Sequence, residues 1–196
     1  MSFKICVSGA AEGECVNKIT MAQAETVGKA IAKAGAVIVT GATTGIPHAA
    51  AHGAKKAGGI SIGFSPASSR VDHIRRYHLP VDNMDLIVYT GFGYAGRNLI
   101  LTRSADAVII VCGRIGTLNE FTIAFEDRKP IGVLQHSGGM ANELEIITQI
   151  AHKHQCKVLY EPNPEKLVKS LVADLKEQYR EDTEKLTPVR FVENPE

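Results

Sequence analysis

The chain carries almost no net charge: 22 Lys and Arg against 21 Asp and Glu leave +1. Balance of this kind supplies no global field to recruit nucleic acid or an anionic membrane, and no run of Lys or Arg is long enough to do so locally. No stretch approaches the roughly 20 apolar residues needed to cross a bilayer. From Met-Ser-Phe-Lys the chain enters an apolar strand pattern at once. The expectation is a cytoplasmic protein with neither nucleic-acid nor membrane partners. Low-complexity blocks are missing too, and 44% hydrophobic with 22% charged residues suits one compact domain.

Cysteine pairing motifs are also lacking. Cys6, Cys15, Cys112 and Cys156 are widely spaced with no Cys-x-x-Cys, which argues against a disulfide framework or a zinc knuckle and makes reduced thiols the expectation. Cys112 reads either as a nucleophile beside a helix start or as a small filler of a tight strand end. There are seven histidines but no His-Glu-x-x-His. His48 and His52 have the i, i+4 spacing that puts two imidazoles on one helical face, yet no further ligands accompany them, so polar helix positions are expected and no metal. His152 and His154 read as surface residues. No lysine site for pyridoxal phosphate is identifiable, and no cofactor is expected.

The most informative stretch present is residues 106 to 120, Asp-Ala-Val-Ile-Ile-Val-Cys-Gly-Arg-Ile-Gly-Thr-Leu-Asn-Glu. Ala107 to Val111 is a continuous β-branched run, as in a parallel strand covered on both faces. Gly113 and Gly116 let the backbone approach a ligand, and Thr117 is expected to start a helix whose first N–H groups lack intrahelical partners. Such a helix end suits a phosphate.

The same grammar recurs along the chain. Strands are expected at Phe3 to Ser8, Ala36 to Val39, Ile60 to Phe64, Asp85 to Tyr89, Ala107 to Val111, Ile131 to Leu134 and Lys157 to Tyr160. Buried positions should include Ile5, Val7, Val37, Val39, Ile60, Ile62, Val108, Ile110, Val133 and Val158. Helical patterns fall at Thr20 to Ala34, where Thr20 and Gln23 would form a capping box, and at roughly 46–56, 95–104, 117–127, 141–154 and 164–179. Alternation of this kind predicts one α/β domain with a doubly wound parallel sheet, Rossmann-like, over residues 1–180, followed by a polar tail at 181–196. Ligands then bind at the carboxyl ends of the strands, where the loops after Ser8, Val39 and Val111 meet if the first strand is central. The basic link from Ser68 to His78 reads as a solvated connection or as a lid for an anion.

Three ordered stretches carry a family resemblance. Cys112-Gly113-Arg114-Ile115-Gly116-Thr117-Leu118-Asn119-Glu120 aligns without gaps with a Pro-Gly-Gly-x-Gly-Thr-x-x-Glu signature, matching at Gly113, Gly116, Thr117 and Glu120. Gly41-Ala42-Thr43-Thr44-Gly45-Ile46-Pro47 corresponds to an earlier glycine-rich turn, and Gly96-Arg97-Asn98 to the position of a functional arginine. Over roughly residues 3–175 the chain resembles the LOG-like (LONELY GUY) branch of Rossmann nucleotide-binding proteins. Active members of that branch are phosphoribohydrolases that cleave the N-glycosidic bond of a nucleoside 5'-monophosphate.

The resemblance implies catalytic positions for Arg97 and Glu120. A carboxylate near the ribose can stabilise an oxocarbenium-like transition state, while an arginine orients the nucleotide or assists the leaving base. It implies phosphate and nucleotide contacts from Gly9, Thr43, Thr44, Gly45, Asn98, Gly113, Arg114, Ile115, Gly116 and Thr117, and a homodimer packed through helices near the cleft. Simpler roles stand beside these: Thr117 and Glu120 as a capping box, Arg97 in a surface ion pair, Thr43 and Thr44 as turn residues. Cys112 replaces the signature's proline and Arg114 its second glycine, where a guanidinium either blocks the pocket or contacts phosphate. Two functions follow, the phosphoribohydrolase and a non-catalytic carrier or sensor of a phosphorylated ligand such as a nucleotide or the molybdenum cofactor.

Overall fold

The computed structural model describes residues 2–151 and 156–185. Seven strands, β1 (Lys4–Gly9), β2 (Val37–Thr40), β3 (Ser61–Ser65), β4 (Leu86–Tyr89), β5 (Ala107–Val111), β6 (Ile131–Leu134) and β7 (Val158–Glu161), form one sheet in the order β4-β3-β2-β1-β5-β6-β7. Every pairing is parallel, with Gly9 beside Val111 and Cys6 beside Val39. The expected α/β parallel sheet and the central first strand are both present.

Side chains alternate across the pleat and build two cores. Ile5, Val7, Ile38 and Ile109 face α1 (Lys18–Lys33), α2 (Ile46–Lys56) and α7 (Pro164–Lys185). Cys6, Val39, Val108 and Ile110 face the opposite layer, which contains α4 (Gly93–Ser104), α5 (Ile115–Glu126), a 3-10 turn at Gly139–Asn142 and α6 (Leu144–Ile150). The short α3 (Arg70–Arg75) lies between β3 and β4.

Several local expectations are corrected. Helix α1 is capped by Asn17, whose side chain accepts from the N–H groups of Ile19 and Thr20 while the Thr20 hydroxyl accepts from the Asn17 N–H; Thr20 is the third helical residue and Gln23 plays no part. Helix α5 begins at Ile115 rather than Thr117, two residues nearer the strand. Ile60 is 54% exposed because it precedes β3 rather than lying within it, and Val37, Ile62 and Val158 are only partly buried. The helix expected from 141 to 154 is a 3-10 turn followed by α6, and His152 and His154 lie outside the described residues. Helix α7 continues to Lys185, so the first part of the expected tail is helical and residues 186–196 lie outside the described residues.

Helices α1 and α2 cross without intervening side chains. A Cβ on Gly28 would overlap the Ala50 carbonyl, and one on Gly53 would overlap that of Glu25. Gly28→Ala therefore forces the two helices apart, and urea unfolding should show a loss of about 1–3 kcal/mol. Unchanged stability would mean that the crossing yields freely.

Candidate functional site

The carboxyl ends of β1, β2 and β5 open onto a cleft of about 910 Å³. Gly9, Ala10, Ala11 and Glu12 line it after β1, and Thr43 and Thr44 after β2. Tyr77, His78 and Leu79 come from the α3–β4 connection, and Tyr94, Arg97 and Asn98 from α4. Arg114, Ile115, Gly116, Thr117 and Glu120 complete it from the start of α5. Of the residues named from the sequence only Gly45 and Gly113 do not line the cleft. Gly45 caps α2 behind Ala10 and Ala11, and Gly113 packs on the Thr117 side chain.

At the first turn of α5 the Arg114 cap makes no side-chain hydrogen bond to the helix, and the turn contains no acidic residue. The N–H groups of Ile115, Gly116 and Thr117 therefore have no partner within the helix, and the positive end of the helix dipole faces the cleft. Gly116 leaves this approach open: the nearest atom to an added Cβ is Asn98 Nδ2, at 4.0 Å. Arg114 does not plug the cleft. Its guanidinium reaches Glu12 Oε1 at 3.3 Å, and the pair bridges the two loops with both side chains mostly exposed. The Thr44 hydroxyl donates to the Ala11 carbonyl at 3.1 Å, fixing the opposite wall.

Beneath the cleft lies a buried polar layer. Glu120 is 6% exposed and accepts a short hydrogen bond from Ser8 Oγ; it does not serve as a capping partner for Thr117. Burial raises its carboxyl above the ordinary value of 4.5, an effect opposed by the Arg97 charge and the Ser8 hydroxyl. Arg97 is equally buried and forms no surface ion pair. Its Nη1 donates to the carbonyls of Gly41 at 2.5 Å and Phe64 at 3.2 Å, while its buried Nε has no partner among the described residues. Gly41 is required for this arrangement, since a Cβ there would overlap Nη1. Tyr94 lies 5.9 Å from the guanidinium and packs edge-on against Tyr77 at 5.6 Å.

Sequence reasoning missed Ser8, Leu79 and Tyr94, and reached Tyr77 and His78 only as the end of the Ser68–His78 link read as a solvated connection or a lid. Ser8 was accessible to it, because the alternation that sends Ile5 and Val7 to one face sends Cys6 and Ser8 to the other. The aromatic side has no such signal: it depends on where the Ser68–His78 connection folds. That connection is held by buried His73, whose ring nitrogens meet Ser65 Oγ at 2.8 Å and the Pro80 carbonyl at 2.9 Å.

The expected reduced thiols are corrected at two positions: Cys15 and Cys112 are joined in a disulfide with Cα atoms 5.9 Å apart, which also removes Cys112 as a free nucleophile. Cys112 has a φ of 57°, in the left-handed region. Proline, with φ fixed at about −65°, cannot adopt it, so the departure from the signature's proline accompanies a different backbone path. His48 meets Asp82 at 3.1 Å and His52 meets Glu25 at 3.5 Å; no group of three or more potential metal ligands occurs among the described residues. Nor is any described helix long and apolar enough to cross a membrane.

Residues 2–168 match the model of the SLOG cluster4 family. The chain belongs to that family. It is 36% identical over 133 residues to an uncharacterised protein of Archaeoglobus fulgidus, covering 68% of this chain and 80% of that one. Among solved structures, the molybdenum cofactor binding protein of Rippkaea orientalis is 30% identical with a TM-score of 0.70, over 88% of this chain and 98% of that one. The molybdenum cofactor carrier protein of Chlamydomonas reinhardtii is 25% identical at the same TM-score, over 90% and 99%. DNA processing protein A of Helicobacter pylori, described by its single-stranded DNA binding mode, has a TM-score of 0.64 over 88% and 81%; at 22% identity it shares the fold alone. Family membership thus holds at the SLOG level, broader than the LOG-like branch named from the motifs.

Glu120 generates a pH prediction. A carboxyl whose folded pKa is raised costs nothing below its unfolded value, where both states are protonated. Its penalty grows as pH rises from about 4.5 through the folded pKa. Glu120→Gln keeps an acceptor for Ser8 and carries no charge to bury. Urea melts should find this variant more stable than wild type at neutral pH, with the advantage shrinking toward pH 4; a constant difference would show that Glu120 is not held against ionisation.

Proposed function

We propose that this SLOG protein binds a phosphorylated small molecule, with the phosphate on the first turn of α5 and a flat ring toward Tyr94 and Tyr77, and that it carries this ligand in the cytoplasm rather than cleaving it. The observation that carries the choice is the disposition of Arg97, whose Nη1 is committed to the carbonyls of Gly41 and Phe64. A guanidinium used in this way braces the cleft floor. The likeness to molybdenum cofactor binding and carrier proteins, over 88% and 90% of this chain, supports the same reading, with that cofactor or a nucleotide as the cargo.

The phosphoribohydrolase is the second reading, favoured by Glu120 and Arg97 lining the same cleft. It needs an ionised Glu120 at the ribose to stabilise positive charge, whereas burial favours the protonated form. Incubation with a panel of nucleoside 5'-monophosphates, followed by chromatography of the free bases, separates the two. The carrier binds without releasing base; release that Glu120→Gln abolishes would establish the hydrolase.

Gly116→Asp tests the phosphate position, since it places a carboxylate on the open N–H groups. It should weaken binding of AMP by roughly tenfold or more while leaving the melting temperature near wild type, because an acid in a first helical turn is otherwise favourable. Undiminished AMP binding would put the phosphate elsewhere. The homodimer implied by the resemblance, packed through helices near the cleft, would cover Phe92 and Leu99 at α4, which are 70% and 40% exposed. Sedimentation at micromolar concentration should then give twice the 21.1 kDa chain mass; a monomer would remove the dimer from the proposal.

A further inference from the structure

We propose that the Cys15–Cys112 disulfide is a reversible clamp on the cleft, holding its two walls together when formed and loosening its grip on ligand when reduced. This rests on the reading that the cleft binds a phosphorylated ligand.

The bond joins the two loops that a bound phosphate would touch. Cys15 lies three residues beyond Glu12 in the β1–α1 loop, and Cys112 lies two residues before Arg114, the cap of α5. The α5 side is firmly anchored. The Cys112 N–H donates to Ser137 Oγ at 2.8 Å, its carbonyl accepts from the Ala141 N–H at 2.9 Å, and the Gly113 carbonyl accepts from the Met140 N–H at 2.9 Å. On the other side Glu12, Gly13 and Glu14 are exposed. The noncovalent bridge between the walls, Arg114 to Glu12, is itself solvent-exposed, and such pairs add little. Reduction therefore leaves the α5 turn in place and frees the exposed Glu12–Glu14 part of the β1–α1 loop, whose flanks stay held by the Thr44 hydroxyl on the Ala11 carbonyl and the Thr20 hydroxyl on the Cys15 carbonyl.

The exchange chemistry is directional. Cys15 is half-buried and Cys112 fully buried, so an incoming dithiol's thiolate attacks Cys15 Sγ and the Cys112 sulfur leaves as a thiolate beside the positive end of α5. The dithiol's second sulfur then attacks the mixed disulfide at the reductant's own sulfur and expels Cys15. Two electrons and two protons pass to the protein, and the dithiol becomes a disulfide; exchange with a small disulfide such as oxidised glutathione reverses the process. The other thiols do not compete, because Cys6 is fully buried and burial pushes Cys156 up to about 11. In the cytoplasm a disulfide is more often a switch than a permanent brace.

The test compares the full chain after oxidation by glutathione disulfide, after reduction by dithiothreitol, and as Cys15→Ser. Thiol titration in denaturant should count two thiols in the oxidised protein and four after reduction; four in both would overturn the clamp. AMP binding by calorimetry should be roughly tenfold weaker in the reduced protein and in Cys15→Ser, and equal affinities would also overturn it. Amide exchange across residues 11–16, read without ligand, should accelerate on reduction while that of 113–117 does not. If AMP binds in neither state, the reading of the site fails; the clamp then stands or falls on whether exchange at 11–16 changes.

Discussion

The winding of the sheet reverses between β1 and β5. From β1 the chain steps outward to β2, β3 and β4, returns past them to place β5 on the other flank of β1, and steps outward again to β6 and β7. Right-handed crossovers then put α1 and α2 on one face and α4 and α5 on the other, so the loops leaving β1 and β5 part in opposite directions. The gap between them cannot be filled by either crossover. The cleft, the exposed N–H groups of α5 and the Glu12–Arg114 bridge all follow from that reversal.

The same reversal explains the buried polar layer. Ser8 is the penultimate residue of β1 and points toward the face covered by α4 and α5, so its hydroxyl meets Glu120. Arg97 reaches the layer from α4 and satisfies the carbonyls of Gly41, just after β2, and of Phe64, the fourth residue of β3 and one beyond the last β2–β3 pair. A carboxyl, a hydroxyl and a guanidinium in this setting tie the ends of β1, β2 and β3 to α4 and α5. That is a sufficient reason for Arg97 and Glu120 to be present even where no bond is cleaved, and it places the chain's distinctive chemistry in the mouth above them.

Much of the fold was legible because strand identity rests on local pattern: the β-branched run Ala107–Val111 and the alternation in Lys4–Gly9 fix both type and facing. The glycine turn joining β5 to α5 was legible for a related reason, since two glycines between a buried strand and a helical pattern mark a tight connection. Element ends were less so. The α5 start moved to Ile115 because Arg114, a residue with no capping side chain, serves as the cap, and the α1 cap passed from Thr20 to Asn17 because the Asn17 side chain accepts from two first-turn N–H groups and leaves Thr20 as the N3 partner of the box. The disulfide was illegible, as a separation of 97 residues carries no spacing signal and depends on two loops meeting. Gly41 read only as the first residue of the earlier glycine-rich turn, and its lack of a side chain makes room for Arg97.

The central claim is that an anion sits on the first turn of α5. Titration of the isotope-labelled protein with inorganic phosphate, followed through backbone amide chemical shifts, addresses it residue by residue. Saturable shifts concentrated at Ile115, Gly116 and Thr117, with smaller ones at Thr43 and Thr44, are the predicted result. Shifts absent from that turn and centred instead on the lysine-bordered groove between α1 and α7, around Lys33, Lys169 and Lys176, would contradict it.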